Sequence, residues 1–421
     1  MAVRFFSGRI SGNVIAPPSK SSMQRAIAAA LLSEGRSVIN CPSFSDDSIS
    51  VMKMASSLGA IVEHQPGRVI ITGGIRPIRA ALNCGESGLA LRMFSAIASS
   101  ASEYITIEGT GTLRERPVGM IEEPLRQLGV SVETTGGFLP VRVRGPIRGG
   151  EVTVDGSLSS QFLTGLLFAL PIAEQDSIVR VLNPTSKPYI DLTINVLSHF
   201  GIRVENSGYT EFRIEGRQKY VPSEYTVEGD WSGASFLLVM AALGGEVRIT
   251  NLDKDSAQAD KKILDALKLA GAEVILSGDS IVVKKGYLNP FSINISDCPD
   301  LAPPLAVLAA GCDGVSTLYG TERLKVKESS RGDNLAVSLV KLGAAVKNSG
   351  DTIEIASGGM LTHNLTSSFG DHRMAMAMAT ASVISENGVS VDDISCISKS
   401  YPGFTDDFRQ IGGNFSISND K

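Results

Sequence analysis

Asp371, His372 and Arg373 stand directly against the apolar run MAMAMATASV. A run of that kind belongs in a core, and ionic side chains at its edge need partners or a task. Other segments mix the same chemistry. Pro17-Pro18-Ser19-Lys20-Ser21-Ser22-Met23-Gln24-Arg25 sets Lys20 and Arg25 beside an alanine-rich stretch. Ser157-Leu158-Ser159-Ser160-Gln161 and Ser186-Lys187-Pro188-Tyr189 offer hydroxyls and an amide at helix starts, where simple N-capping by serine is the bland alternative. Leu324-Lys325-Val326-Lys327-Glu328-Ser329-Ser330-Arg331 is dense in charge. Lys327 and Arg331, four apart, would share a face if that stretch were helical, and a solvated face is the ordinary fate of such a run. Arg116 and Lys399 complete the set of cations.

Other chemistries lack their residues. The four histidines, His64, His199, His363 and His372, show no metal-ligand spacing. There is no phosphate loop ending in Gly-Lys-Ser/Thr, no Gly-x-Ser-x-Gly elbow and no convincing dinucleotide loop. The five cysteines form no Cys-x-x-Cys pair, so reduced thiols in a cytoplasm are expected. A net charge of −5 argues against a nucleic-acid partner. No apolar stretch reaches the roughly 20 residues that span a bilayer, and no membrane partner is expected. What remains is acid–base and electrostatic catalysis by Lys, Arg, Asp and Glu on anionic small molecules, with no metal and no cofactor.

The elements that must position these groups recur along the chain. A short polar opening leads into a strongly apolar run six times, from Ser19, Gly85, Gly156, Gly229, Asp297 and Gly370. Successive openings lie 66, 71, 73, 68 and 73 residues apart, a period suited to a supersecondary module. The apolar runs predict helices buried on most sides. Strands are predicted over 103–110, 151–156, 177–183, 246–252 and 279–285. A second, amphipathic helix is predicted in five units, each stopping at a glycine: Gly59, Gly129, Gly201, Gly271 and Gly343. An α/β (α+β) chain of two similar domains with three modules each follows, and a helix start facing a cleft makes an anion site without a metal.

Together these segments resemble the 5-enolpyruvylshikimate-3-phosphate synthases. The matching stretches run nearly the whole length: SKSSMQRA, SDD (45–47), GESGLALR, RERPVG, DGSLSSQFLTGLL, SKPYIDLT, VEGDWSGASF, DCPDLAPPLAVLAA, LKVKESSR, GDHRMAMA and SKSYPGF. The resemblance implies two domains, each a threefold assembly of βαβαββ-type modules with parallel helices inside a shell of sheets. Residues 1–18 with 229–421 would form one, and 19–228 the other, with the active site in the cleft between them. It implies transfer of the carboxyvinyl group of phosphoenolpyruvate to the 5-hydroxyl of shikimate 3-phosphate with release of phosphate, by a monomer.

The resemblance also distributes roles. Lys20, Ser21, Arg25, Ser159, Ser160, Gln161, Ser186, Tyr189, Asp300 and Lys327 would bind shikimate 3-phosphate. Lys20, Gly88, Arg116, Gln161, Arg331, Arg373 and Lys399 would bind phosphoenolpyruvate. Asp300 is the expected base, Glu328 the expected proton carrier, with Lys20 in support. Glu86 and Leu89 depart from the family's common GNAGTAMR, and Ser330 from its KESDR. Glu86 must pair with a cation such as Arg116 or point away. The sister transferases acting on UDP-N-acetylglucosamine typically carry a loop cysteine that is missing around Arg114–Pro117. RNA-terminal phosphate cyclases need a catalytic histidine and a basic surface, and a non-catalytic anion binder would not release phosphate.

Overall fold

The computed structural model describes residues 2–278, 280–356 and 359–418. Each of the six apolar runs is a helix: Lys20–Leu32, Gly88–Ile97, Gln161–Ala169, Trp231–Gly244, Ala302–Ala310 and His372–Ala381. They are buried almost throughout; every residue from Trp231 to Leu243 and from His372 to Ala381 is covered. Their small residues let helices meet closely. A methyl group on Gly165 would stand 2.7 Å from the Met93 carbonyl oxygen, so the Gly88–Ile97 and Gln161–Ala169 helices touch backbone to backbone there.

The amphipathic helices form the second layer: Asp46–Ser57, Glu122–Gln127, Lys187–His199, Ile263–Leu269 and Arg331–Lys341. The five predicted stop glycines have φ of 110°, 81°, 81°, 92° and 96°, the left-handed geometry that ends a helix without a Cβ penalty. A sixth such helix, Phe404–Gln410, is followed by Gly412 at φ 94°; sequence reading passed over it. The predicted strands appear at Ile105–Glu108, Gly150–Asp155, Ser177–Leu182, Gly245–Thr250 and Ser280–Lys284, while Asp279 lies outside the described residues.

Six four-stranded sheets share one pattern, a parallel edge pair followed by two antiparallel pairs. Five modules therefore read edge strand, buried helix, strand, outer helix, hairpin, the sixth ends on a single strand, and the architecture is the inside-out α/β arrangement. Two compact units result, one of residues up to Ser19 together with those from Glu228 onward, the other Lys20–Val227. The chain changes units after two edge strands. Ile10–Ile15 pairs parallel with Gly245–Thr250 but leads into the Lys20–Leu32 helix, and Glu224–Thr226 pairs parallel with Gly35–Asn40 but leads into Trp231–Gly244. One sheet is closed by the first strand. Ala2–Ser7 lies antiparallel to both Val389–Val391 and Gly413–Ser418, with Phe5 buried between Phe408 and Phe415.

One expectation fails locally. The 324–331 run is not a single helix. A 3-10 turn covers Glu322–Val326, Lys327 is extended at ψ −157°, and a new helix begins at Arg331. Arg331 is wholly buried, so this is no solvated face. Among the described residues no helix is long and apolar enough to cross a membrane.

Candidate active site

In the Lys20–Val227 unit, Arg25 ties two helices together. Its Nε donates to Thr193 Oγ1 at 2.9 Å, Nη1 to the Ser21 carbonyl at 2.8 Å and Nη2 to the Tyr189 carbonyl at 3.3 Å. Thr193 lies 3.1 Å from Thr164, so the Gln161–Ala169 helix joins the same network. All of these partners are neutral. Burial pushes the Arg25 guanidinium down to about 10, still charged at neutral pH. Ser186, beside Tyr189, is a buried non-glycine residue at φ 52° and ψ 42°, a strained conformation of the kind found at ligand sites.

A second group in that unit surrounds Gly88. A Cβ there would stand 3.0 Å from both terminal nitrogens of Arg116 and from Arg92 Nη1. Arg92 Nη1 donates to Gln161 Oε1 at 3.0 Å and Nη2 to the Pro117 carbonyl at 2.8 Å. Gly88, Arg116 and Gln161 are thus brought together, with Arg92 as a member that sequence reading missed. Its signal was a lone arginine in the apolar run GLALRMF. Ser159 Oγ accepts from the Gln161 N–H at 3.1 Å, whereas Ser160 caps nothing with its side chain. Lys20 pairs with Asp47 at 3.0 Å. Glu86 turns to the adjoining loop, accepting from the Thr112 N–H at 3.3 Å and hydroxyl at 3.4 Å.

The other unit holds a different arrangement. Arg331 has no exposed side-chain surface and reaches three carboxylates. Nε donates to Asp371 Oδ2 at 2.8 Å, Nη1 to Asp300 Oδ1 at 2.7 Å, and Nη2 to Glu328. Asp300 is shared further. Its Oδ2 lies 3.1 Å from Arg373 Nη2, and its Oδ1 lies 3.5 Å from Lys327 Nζ. Burial alone would raise the Asp300 carboxyl, but Arg373, Lys327 and Arg331 hold it well below the usual range. Burial brings the Lys327 ammonium down to about 8 over the opposing pull of Asp300, with Arg323 and Arg331 adding repulsion. Arg331 and Arg373 are held charged against burial, the first by Asp371, Glu328 and Asp300, the second by Asp300.

Helix starts build this cluster. Asp371 caps its helix by accepting from the Arg373 N–H at 2.9 Å while binding Arg331, a double duty that positions both arginines. Arg373 Nη1 donates to Ser232 at the start of the Trp231–Gly244 helix. Lys399 donates to the Gly370 carbonyl at 2.8 Å, next to the same cap. The structure thus joins Asp300, Lys327, Glu328, Arg331 and Arg373 in one ionic network, with Lys399 bound to the loop that starts the Arg373 helix. Ser232 was not singled out from sequence; Asp371 was, as one of the charges at the edge of the MAMAMATASV run.

Such an arrangement can bind anions and move protons. Residues 6–408 match the model of EPSP synthase (3-phosphoshikimate 1-carboxyvinyltransferase). The chain belongs to the EPSP synthase family. It is 37% identical over 423 residues to the 3-phosphoshikimate 1-carboxyvinyltransferase of Clostridium novyi (strain NT), covering 98% of this chain and 97% of that one. The enzyme of the same name from Aeropyrum pernix is 39% identical over 406 residues, covering 96% and 94%. Among solved structures, an EPSP synthase from Acinetobacter baumannii superposes with a TM-score of 0.83 at 25% identity, over 99% of this chain and 100% of that one. The chain is accordingly a transferase that moves an enolpyruvyl group in the shikimate pathway, and its substrates are small molecules.

Proposed function

We propose that the two clusters divide the work of transferring the carboxyvinyl group of phosphoenolpyruvate to the 5-hydroxyl of shikimate 3-phosphate. In the Lys20–Val227 unit, Ser21, Arg25, Ser159, Ser160, Gln161, Ser186 and Tyr189 hold shikimate 3-phosphate. The cation that only neutral groups surround, Arg25, supports this division, because its charge is left for an anionic ligand. Gly88, Arg116 and Lys20 of the same unit act on phosphoenolpyruvate, together with Arg331, Arg373 and Lys399 of the other. Lys327 anchors the shikimate moiety. Turnover then requires residues of both units to meet on one pair of substrates, in a cleft that closes around them.

The acid–base work falls to the ionic network. Asp300 takes the proton of the 5-hydroxyl as its oxygen bonds to C2 of phosphoenolpyruvate, and Glu328, supported by Lys20, delivers a proton to C3. In the tetrahedral adduct the bond from C2 to the phosphate oxygen then breaks. C3 gives up a proton, the double bond reforms, and inorganic phosphate departs with its charge held by Lys and Arg. No atom is left over: one hydroxyl hydrogen ends on phosphate, and one carbon–oxygen bond replaces another.

The single observation that carries this reading is a carboxylate, Asp300, gripped by three cations beside a second carboxylate, Glu328. Incubation with shikimate 3-phosphate and phosphoenolpyruvate should release inorganic phosphate, and omission of either substrate should abolish release. Absence of phosphate with both present would remove the proposal. We also place the enzyme in a reducing compartment, the cytoplasm, as a monomer. The five cysteines are buried and unpaired, which supports that placement. A sedimentation profile with a dimer mass would overturn the monomer.

A further inference from the structure

Asp300 occupies a position shaped for a carboxylate. Its two oxygens meet Arg331 Nη1 at 2.7 Å, Arg373 Nη2 at 3.1 Å and Lys327 Nζ at 3.5 Å, three donors converging on one small planar anion. The network is already neutral: Arg331, Arg373 and Lys327 face Asp300, Glu328 and Asp371. Around it lie Arg323, Asp297, Asp260 and Asp230, and Lys399 donates to the Gly370 carbonyl beside it. An incoming carboxylate must therefore compete with one already in place.

The three carboxylates are not equally replaceable. Asp371 has no exposed side-chain surface and is fastened at four points, by Arg331 Nε and Nη2, the Ser329 hydroxyl and the Arg373 N–H. Asp300 is 24% exposed and its partners among the described residues are side chains of other segments, so it can leave while the two arginines stay anchored. Arg331 keeps Asp371 and Glu328, and Arg373 keeps Ser232. Arg373 Nε, buried and without a hydrogen-bond partner among the described residues, can join an arriving ligand.

We propose that Asp300 is an internal counter-ion seated in the carboxylate position of this unit, and that the carboxylate of phosphoenolpyruvate displaces it. One event then fills the site and releases the base. This rests on Asp300 being the base assigned above, and it goes further by making base activation a consequence of substrate binding. Before displacement, Asp300 is clamped by three cations and accepts protons poorly. Afterwards Arg331 and Arg373 face the ligand, and the freed carboxylate regains its basicity.

The test titrates phosphoenolpyruvate alone, without shikimate 3-phosphate, by calorimetry or by the fluorescence of Trp231, the only tryptophan and the neighbour of Ser232. Asp300→Asn keeps size but removes the competing charge, and should bind tenfold or more tightly than wild type. Glu328→Gln removes an equal charge from a different place and should tighten binding by less. Equal or weaker binding by D300N, or equal tightening in E328Q, overturns the proposal. Because D300N leaves three cations together, a second measurement covers a variant that folds poorly. Sodium formate should raise the melting temperature of Asp300→Ala saturably relative to chloride at equal ionic strength, with no matching rise in wild type. No formate-specific rise overturns the proposal equally. Phosphate release by the wild type is measured separately, so failure of the overall reaction is distinguishable from failure of the displacement.

Discussion

Arg25, in the second turn of its helix, and Arg331, at the start of its own, are both buried arginines, and they are treated in opposite ways. Arg25 spends its donors on a hydroxyl and two carbonyls, so its charge is stabilised by dipoles and remains uncancelled. Arg331 is matched by three carboxylates. The first solution suits a group that waits for an anion and does nothing else. The second suits a place where protons move, since a network of opposed charges can change its protonation while staying near neutrality. Positive charge alone therefore does not define an anion site; what has already claimed the charge decides its use.

The sharpest way to break this contrast is to delete the proposed base. Asp300→Ala should lower turnover by about 100- to 10,000-fold, the usual worth of a positioned acid or base. Shikimate 3-phosphate affinity should change only a few-fold, as read by phosphate release and equilibrium titration. Near-normal turnover would take Asp300 out of the mechanism and leave the two arginine sites functionally alike.

Stability separates the two arginines next. Arg331→Met strands Asp300, Glu328 and Asp371 around an apolar chain and should cost about 3–5 kcal/mol in denaturant unfolding at neutral pH. Arg25→Met leaves only neutral acceptors behind and should cost roughly 1–3 kcal/mol, with most of its effect on shikimate 3-phosphate affinity. Equal losses in both would mean that the carboxylates of the Arg331 network do not matter to the fold.

The pH profile sharpens the comparison from another side. Lys327 titrates at about 8, so its positive charge is present below that pH and lost above it. The value of kcat/KM for shikimate 3-phosphate should fall as pH rises past about 8. Lys327→Arg should move that limb to higher pH, because a guanidinium stays charged there. An unchanged limb would assign the titration to another group. The smallest expected effect is at Gly88. An added methyl group meets the terminal nitrogens of Arg116 and Arg92 at 3.0 Å, so Gly88→Ala should raise the KM for phosphoenolpyruvate several-fold while leaving the unfolding midpoint unchanged.

Much of the scaffold was legible because its signals are local. Runs such as FLTGLLFAL and FLLVMAAL can only be buried helices, and a glycine after each amphipathic stretch marks its end whatever the tertiary context. The helix Phe404–Gln410 escaped because it is short and carries little apolar periodicity before its glycine. Within the site, residues at motif openings were found, but their partners were not. Asp371 reads as a charge in need of a partner, and only the fold reveals that its carboxylate both caps its helix and holds an arginine 40 positions away. Arg92 and Thr193 sit inside helices, where sequence gives no reason to separate a network member from a tolerated polar residue. The 324–331 run misled for a related reason: charge density predicts solvent, and only a three-dimensional count of opposite charges shows that burial is affordable.

The first strand has a consequence for how the molecule is made. Ala2–Ser7 is the inner strand of a sheet whose flanking strands are Val389–Val391 and Gly413–Ser418. On the ribosome it emerges well before both neighbours, which follow only after some 380 further residues, a delay of about 20 to 80 s at typical elongation rates. Through that interval Phe5 has neither Phe408 nor Phe415 to cover it, so the nascent chain carries a naked sticky ribbon until those residues are made. The polypeptide zips that sheet shut around a strand made long before its neighbours, which makes completion of the sheet a checkpoint on having been synthesised through to Gly413–Ser418.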